Sequence, residues 1–262
     1  MFKIFLRYIA EILYSFFALF PYKAKKKITN YLVYKINSEK RNSKFVYFTK
    51  KEIQKKKIIF DVGSFDGRSI DNFLDIDANV IVHAFEPNPK LFSVLLSKYK
   101  HNKKVILNQI AISDVNSYKN FYVNSFQETS SLKNLNVNRH RQDKNYTSKI
   151  IKVKCITIQS YMNKNNIKII DLLKLDTQGN ENLILKGARI PLSKGRIKYI
   201  KLELIFEDYY SEQSQFSEIE NNFLKKNYKL ISLEDLKYSS DSKILQLDAI
   251  YKLQLMSTKR RH

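Results

Sequence analysis

Four carboxylates in this chain stand where acids can do chemistry: Asp61, Glu86, Asp114 and Asp176 each fall at or just after the end of an apolar run that reads as a strand. In an open α/β sheet, ligands bind outside the carboxyl ends of the strands, so the four share one rim. The first lies in the stretch IIFDVGSFDGRS, Ile58 to Ser69, where Gly63-x-x-x-Gly67 follows the carboxylate. Strand, tight turn and helix start succeed one another there. Such a junction turns free backbone N–H groups and a helix dipole toward a ligand, and glycines let the ligand approach the main chain. A carboxylate inside the turn repels a pyrophosphate and suits an ammonium or sulfonium group. The phosphate-cradling lysine of a P-loop and the G-x-G-x-x-G of a dinucleotide site are both missing. A nucleoside with an amino-acid tail, S-adenosylmethionine, fits best. Glu86, at the end of the second expected strand, is placed to receive a ribose diol through two hydrogen bonds.

The elements that must hold these residues alternate. Strands are expected at Ile58 to Phe60, Val80 to Phe85, Val105 to Ile112, Ile169 to Leu175 and Ile197 to Phe206, with helices near Ser69 to Leu74, Pro89 to Tyr99, Ile158 to Asn165 and Glu181 to Lys186. That alternation predicts a parallel α/β sheet. The near-continuous apolar run before Asp176 suits a strand buried on both faces, and Gly187 stands where a helix stop is expected. Further extended runs cover Lys119 to Val123 and Ile150 to Lys154, and Phe216 to Lys226 reads as a helix before closing strands at Lys229 to Leu233 and Leu245 to Leu253. Between them, Phe126 to Lys149 is polar and without period, as a lid or substrate loop would be.

A chain of 262 residues with 44% hydrophobic residues holds one sizeable domain plus an appendage. The expected division is a helical extension over 1–55 and a domain over 56–256. Phe2 to Phe20 is strongly apolar and runs into the basic cluster Lys23, Lys25, Lys26 and Lys27, but Lys3, Arg7 and Glu11 break it, and its longest uncharged run is too short to span a bilayer. It reads as a helix packed on the domain or as one lying in a membrane interface through residues 1–27, which places the protein in the cytoplasm or peripherally at the inner membrane surface. The single Cys155 makes no internal disulfide or zinc site and points to a reducing compartment. A formal charge of +22 invites a nucleic-acid partner. The lysines, however, are spread along the whole chain among Asn and Ile, with no arginine-rich arm, RNP-like aromatic pair or zinc finger, so nucleic acid is not the expected partner.

The segments FDVGSFDGRS, FEPNP at Phe85 to Pro89, NQIAISD at Asn108 to Asp114 and IDLLKLDTQGNE at Ile170 to Glu181 resemble the FkbM family of class I S-adenosylmethionine-dependent methyltransferases. Lys174, Asp176, Gln178, Gly179 and Glu181 match its K-x-D-x-E/Q-G-x-E pattern, and Ser130-Ser131 and the run Leu183 to Ala188 continue the match. Ser64 and Phe65 depart from its usual Ala-Asn, and Asn180 from its usual small or aromatic residue. The resemblance implies a Rossmann-like fold, a mostly parallel seven-stranded sheet flanked by helices, here with an N-terminal helical extension. It implies a cofactor site of Asp61, Gly63, Asp66, Gly67, Ser69, Glu86 and Asp114, and methyl transfer to a hydroxyl of a saccharide or other small glycosylated or secondary metabolite.

An alcohol attacks poorly until its proton leaves, so a base or metal near the transferred methyl is expected. Asp176 is the first candidate base, Glu203 could orient the acceptor, and His140 in the polar insert could serve if that loop closes. Glu203 could also share a Mg²⁺ with Asp176, but one carboxylate per strand is not a metal signature, and no metal site is expected. Two alternatives stay open: an RNA or protein methyltransferase with a basic surface, and a non-catalytic, membrane-associated protein that keeps the cofactor fold.

Overall fold

The computed structural model describes residues 56–76, 79–136 and 146–254, all within one compact unit, Lys50–His262. The expected N-terminal helix and His140 lie outside the described residues.

The chain opens with β1 (Lys57–Val62), α1 (Arg68–Ile76), β2 (Val80–Phe85), α2 (Pro89–Tyr99) and β3 (Val105–Asn108). The proline at the start of α2 needs no N–H in the first turn, and the Asn88 side chain caps that turn by accepting from Lys90 N at 3.0 Å. After the short β4 (Ala111–Ile112), β5 (Ser117–Asn124) and β6 (Ser148–Ile156) come α3 (Ile158–Lys164), β7 (Ile170–Leu175), α4 (Glu181–Gly187) and α5 (Arg189–Ser193). β8 (Ile197–Ile205), α6 (Phe216–Ile219) with a π turn over Glu220–Leu224, β9 (Tyr228–Tyr238) and β10 (Ile244–Leu253) complete the unit.

Seven strands form one sheet in the order β3-β2-β1-β7-β8-β10-β9. The β3/β2, β2/β1, β1/β7 and β7/β8 pairs are parallel, and β10 runs antiparallel to both neighbours. This is the Rossmann-like arrangement with its mostly parallel sheet. β1 and β7 lie side by side at its centre, where the strand order reverses and a crevice opens at the carboxyl ends. All six residues of β7 are buried, which is why it reads as a near-continuous apolar run interrupted by Asp171 and Lys174. One sheet face, with Phe60, Val62, Leu173, Leu175 and Leu202, joins Ile158, Met162, Ile184 and Leu192 from the helices in the main core.

One element differs from the sequence reading. Val105 to Ile112 is not one strand. β3 ends at Asn108, whose side chain bonds the carbonyls of Ala84 and Ile106 and accepts from Tyr161 Oη, and β4 joins β5 and β6 in a separate three-stranded sheet. The polar insert is held where it is described: Ser131 bridges Tyr122, and Leu135 bridges Tyr210. Gly187 ends α4 as expected, without a left-handed conformation. A Cβ there would sit 2.3 Å from the Ser113 carbonyl oxygen, so glycine serves a close approach before the chain turns into α5.

Gly63 meets both demands on a glycine. Its φ is +81°, and a Cβ would lie 1.8 Å from the backbone oxygen of Asp176. Left-handed strain alone costs about 1–3 kcal/mol, and the backbone clash adds to it. Gly63→Ala is therefore expected to lose at least about 3 kcal/mol in urea unfolding; a variant within about 1 kcal/mol of the parent would show that the β1 and β7 ends do not abut as described.

Candidate active site

A cavity of about 710 Å³ opens at the carboxyl rim between the two halves of the sheet. Its floor is the turn after β1, its far wall the segment after β7, and its roof the described part of the insert from Phe126 to Leu132. The turn is built by its own backbone: Gly63 N and Ser64 N both donate to the Phe85 carbonyl, and Phe65 takes a φ of +49° that non-glycine residues seldom adopt. Phe65 N then donates to Glu86 Oε2 at 3.0 Å, and Asn88 N donates to Glu86 Oε1 at 2.9 Å. The end of β2 thus fastens the turn after β1, and the Glu86 carboxylate lines the cavity. Burial pushes this carboxyl up to about 7; the Asn88 and Phe65 amides oppose the shift, Asp61 adds to it, and Lys174 opposes it.

Asp61 has a different place from the one its sequence position suggests. Its side chain is fully buried under the turn and does not line the cavity. Ser69 Oγ donates to Oδ2 at 2.6 Å, while Oδ1 accepts no hydrogen bond and lies 3.2 Å from Lys174 Nζ as an ion pair. Parallel register causes the pairing, since Asp61 on β1 stands directly beside Lys174 on β7. Lys174 Nζ also donates to the Gly63 carbonyl at 3.0 Å and lies 3.4 Å from Asp176 Oδ2. Burial alone would release its proton, but Asp61 and Asp176 outweigh that and hold the ammonium charged.

The remaining expected cofactor residues divide. Gly63 and Glu86 line the cavity; Asp66, Gly67, Ser69 and Asp114 do not. Asp66 pairs with Arg68 at the surface. Gly67 takes a φ of +85° over the Tyr99 hydroxyl, which donates to its carbonyl at 2.8 Å. Asp114 is held by Lys119 at 2.7 Å and Lys186 at 3.4 Å. Burial pushes the Asp114 carboxyl up, and the bonds and charge of Lys119 outweigh it, with net lowering. The apolar residues Val62, Phe85, Leu91, Ile110 and Ile112 flank the Glu86 side of the cavity.

On the far wall, the expected catalytic residues Asp176 and Glu203 are joined through Gln178. Gln178 Nε2 donates to Asp176 Oδ1 at 3.0 Å and to Glu203 Oε2 at 2.7 Å, and Gln246 Nε2 donates to Glu203 Oε1 at 2.6 Å. Behind them, Glu181 Oε1 accepts from both the Thr177 amide and hydroxyl at 2.9 Å, and burial raises its carboxyl. Ser131 Oγ donates to the carbonyls of Thr177 and Gln178, so the insert and this wall are one structure. Sequence reasoning marked Lys174 and Gln178 only as parts of a pattern and missed Gln246, whose place on β10 carries no local signal. Among the described residues, no group of three His, Cys, Asp or Glu side chains is placed to hold a metal ion, and no helix is long and apolar enough to cross a membrane.

The lining fits a nucleoside with a charged tail. Apolar side chains beside Glu86 suit a flat base next to a ribose diol, and the backbone at Gly63 lies open to the cavity. Comparison with known proteins agrees in kind. A model of the FkbM methyltransferase domain matches residues 61–230. The 2-O-methyltransferase NoeI of Sinorhizobium fredii (strain NBRC 101917 / NGR234) is 25% identical over 150 residues, which cover 54% of this chain and 61% of that protein. This chain therefore matches less than two thirds of that relative's length. Of solved structures, an rRNA methylase from Streptococcus thermophilus aligns at a TM-score of 0.44 and 8% identity, over 76% of this chain and 88% of the other. TrmK of M. capricolum, in complex with S-adenosyl-homocysteine, aligns at 0.40 and 10% identity, over 76% and 63%.

Two outcomes follow from the buried charges. Lys174→Met strands Asp61 without its counter-ion and should cost about 3–5 kcal/mol in urea unfolding; a loss under about 1 kcal/mol would mean that the ammonium does not hold the rim together. Glu86 has a folded value of about 7 against 4.5 unfolded, so the folded chain keeps a proton that the unfolded chain releases. Its contribution is full below about pH 4.5 and is lost as pH rises through about 7, a difference of about 3 kcal/mol. Unfolding at pH 5 and pH 8 should therefore show the parent weakening relative to Glu86→Gln. Parallel behaviour of the two proteins would contradict the shift.

Proposed function

We propose an activity for this chain from the premise that it belongs to the FkbM methyltransferase family, whose domain model spans residues 61–230: transfer of a methyl group from S-adenosylmethionine to a hydroxyl oxygen, on an acceptor of saccharide type. The observation that carries the reading is the pairing of Glu86 with the Gly63 turn on one side of the cavity and of Asp176 with Glu203 on the other. When bound, the cofactor supplies a methyl group made electrophilic by its sulfonium.

The protein's own residues do the rest. Glu86 is fixed by two backbone amides, so its outward lone pairs are set for a diol without a search through rotamers. The turn at Gly63 lets the tail of the nucleoside come close to the main chain, and Asp61 and Lys174 keep that turn in place from below. Asp176 stands ionised at the rim. Burial pushes its carboxyl up, but the charge of Lys174 and the bonds from Gln178 and Lys174 hold it below the usual range. It can accept the proton of a hydroxyl held beside it. Positioning of acceptor and donor contributes the larger share of rate enhancement in such displacements, about 7–11 kcal/mol at best.

The acceptor side supports a polyhydroxylated molecule. Asp176, Gln178, Glu203, Gln246, Thr129 and Ser130 offer both donors and acceptors there. The charge of Asp176 at this wall disfavours a phosphate there, which weighs against a nucleic-acid acceptor despite the net charge of +22. The relative named above is a 2-O-methyltransferase, which supports an oxygen acceptor.

Isothermal titration with S-adenosylhomocysteine tests the reading. The full-length protein should bind it in the micromolar range, and Glu86→Ala should weaken binding by about 10- to 100-fold, the worth of a charged hydrogen bond at about 1.5–3 kcal/mol. Unchanged affinity in Glu86→Ala, or no binding by the parent, would sink the assignment.

A further inference from the structure

Asp176 and Glu203 do not touch each other; one side-chain amide separates them. Gln178 has a φ of +58°, a conformation rare outside glycine, and from it spends both amide hydrogens on the pair. Its own oxygen faces Tyr210 Oη at 2.9 Å, a hydroxyl that also lies 3.2 Å from the Thr129 carbonyl. Two acceptors about 120° apart on one nitrogen lie roughly 5 Å from each other, too far for a direct hydrogen bond. Gln246 holds the remaining oxygen of Glu203 in the same way.

The charges around the pair are unequal. Lys174 on β7 approaches Asp176 at 3.4 Å. Glu203 is pressed by burial and then by the negative charges of Asp176, Glu181 on α4 and Asp248 on β10, which together raise its carboxyl well above the ordinary range. Lys237 on β9 acts on both carboxylates in the opposite sense, and the Tyr210 hydroxyl stays protonated beside them.

We propose that Gln178 is a positioning residue that keeps Asp176 and Glu203 apart, so that the pair holds one proton, fixed on Glu203, and leaves Asp176 an open base. The proposal rests on the methyltransferase reading of this cavity. Carboxyl groups that come into contact share a proton between them and titrate as a unit, and a base with a shared proton is no longer free. With the amide interposed, the roles separate. Both oxygens of Glu203 accept amide hydrogens, from Gln178 and Gln246, so the group is held in one orientation on the wall. This arrangement suits an acceptor that carries a second oxygen next to the reacting hydroxyl, one on Asp176 and its neighbour on Glu203.

The test is a pH titration by carbon-13 NMR of full-length protein labelled at the Asp and Glu carboxyl carbons and loaded with S-adenosylhomocysteine. Loss of single resonances in Asp176→Asn and Glu203→Gln assigns the pair. In the parent, Glu203 should remain neutral through pH 7 while Asp176 is already ionised, with proton affinities at least a hundredfold apart. In Gln178→Met, which keeps the length and removes both donors, the two resonances should move together, and Asp176 should bind its proton at least tenfold more tightly. Unchanged midpoints in Gln178→Met would overturn the proposal, as would a parent in which Glu203 ionises with ordinary carboxylates. Should Gln178→Met fail to unfold cooperatively, Gln178→Leu removes the same donors without adding a charge and is judged by the same criterion. Failure of the parent to bind S-adenosylhomocysteine would instead count against the methyltransferase reading, and the titration of unloaded protein would still decide the role of Gln178.

Discussion

One buried ammonium group sets the geometry of the rim. Lys174 is taken from water in the middle of a sheet, where an unpaired charge would cost several kcal/mol, and it is stable there because three oxygens surround it. Asp61 faces it from the neighbouring strand, the Gly63 carbonyl accepts from it, and Asp176 lies on its outer side. Each partner belongs to a different part of the site. Asp61 lies beneath the turn, Gly63 forms the turn, and Asp176 begins the acceptor wall. The contact fixes the offset between β1 and β7, and with it the approach of the Asp176 carbonyl that leaves no room for a side chain at position 63. A shift of one residue in that register would turn Lys174 to the opposite face of the sheet and dissolve all three contacts at once.

The legible part of the sequence is the part governed by local rules. Val80–Phe85 and Pro89–Tyr99 have the bounds that an apolar run, a proline and a capping asparagine dictate. The sheet order follows from alternating strands and helices once β1 and β7 are recognised as buried centre strands. What stayed hidden depends on partners far along the chain. Asp61 looks like a ligand-facing acid because acids in glycine turns often are. Only Lys174, brought alongside by strand pairing, turns it into a buried counter-ion. Asp114 looks equally suited to the rim until Lys119 and Lys186 close on it. The run Val105 to Ile112 carries no mark of the point where it leaves one ladder for another, since both β3 and β4 bury apolar residues. Gly187 ends α4 as its position suggests, but its letter does not show that it also admits the Ser113 carbonyl.

The acids of the site show why so many carboxylates can share so small a space. Glu86, Glu181 and Glu203 are all raised, burial being the first cause in each, whereas Asp176 is lowered by Lys174 against the same desolvation. Were all four ionised, each would raise the others' proton affinity. Were none ionised, the acceptor would meet no base. Placing Lys174 beside Asp176 keeps that acid charged, while burial favours the neutral form of Glu203. That selection follows from register and burial alone. It gives the wall a base and a donor from chemically similar side chains, as an alcohol acceptor with neighbouring oxygens requires.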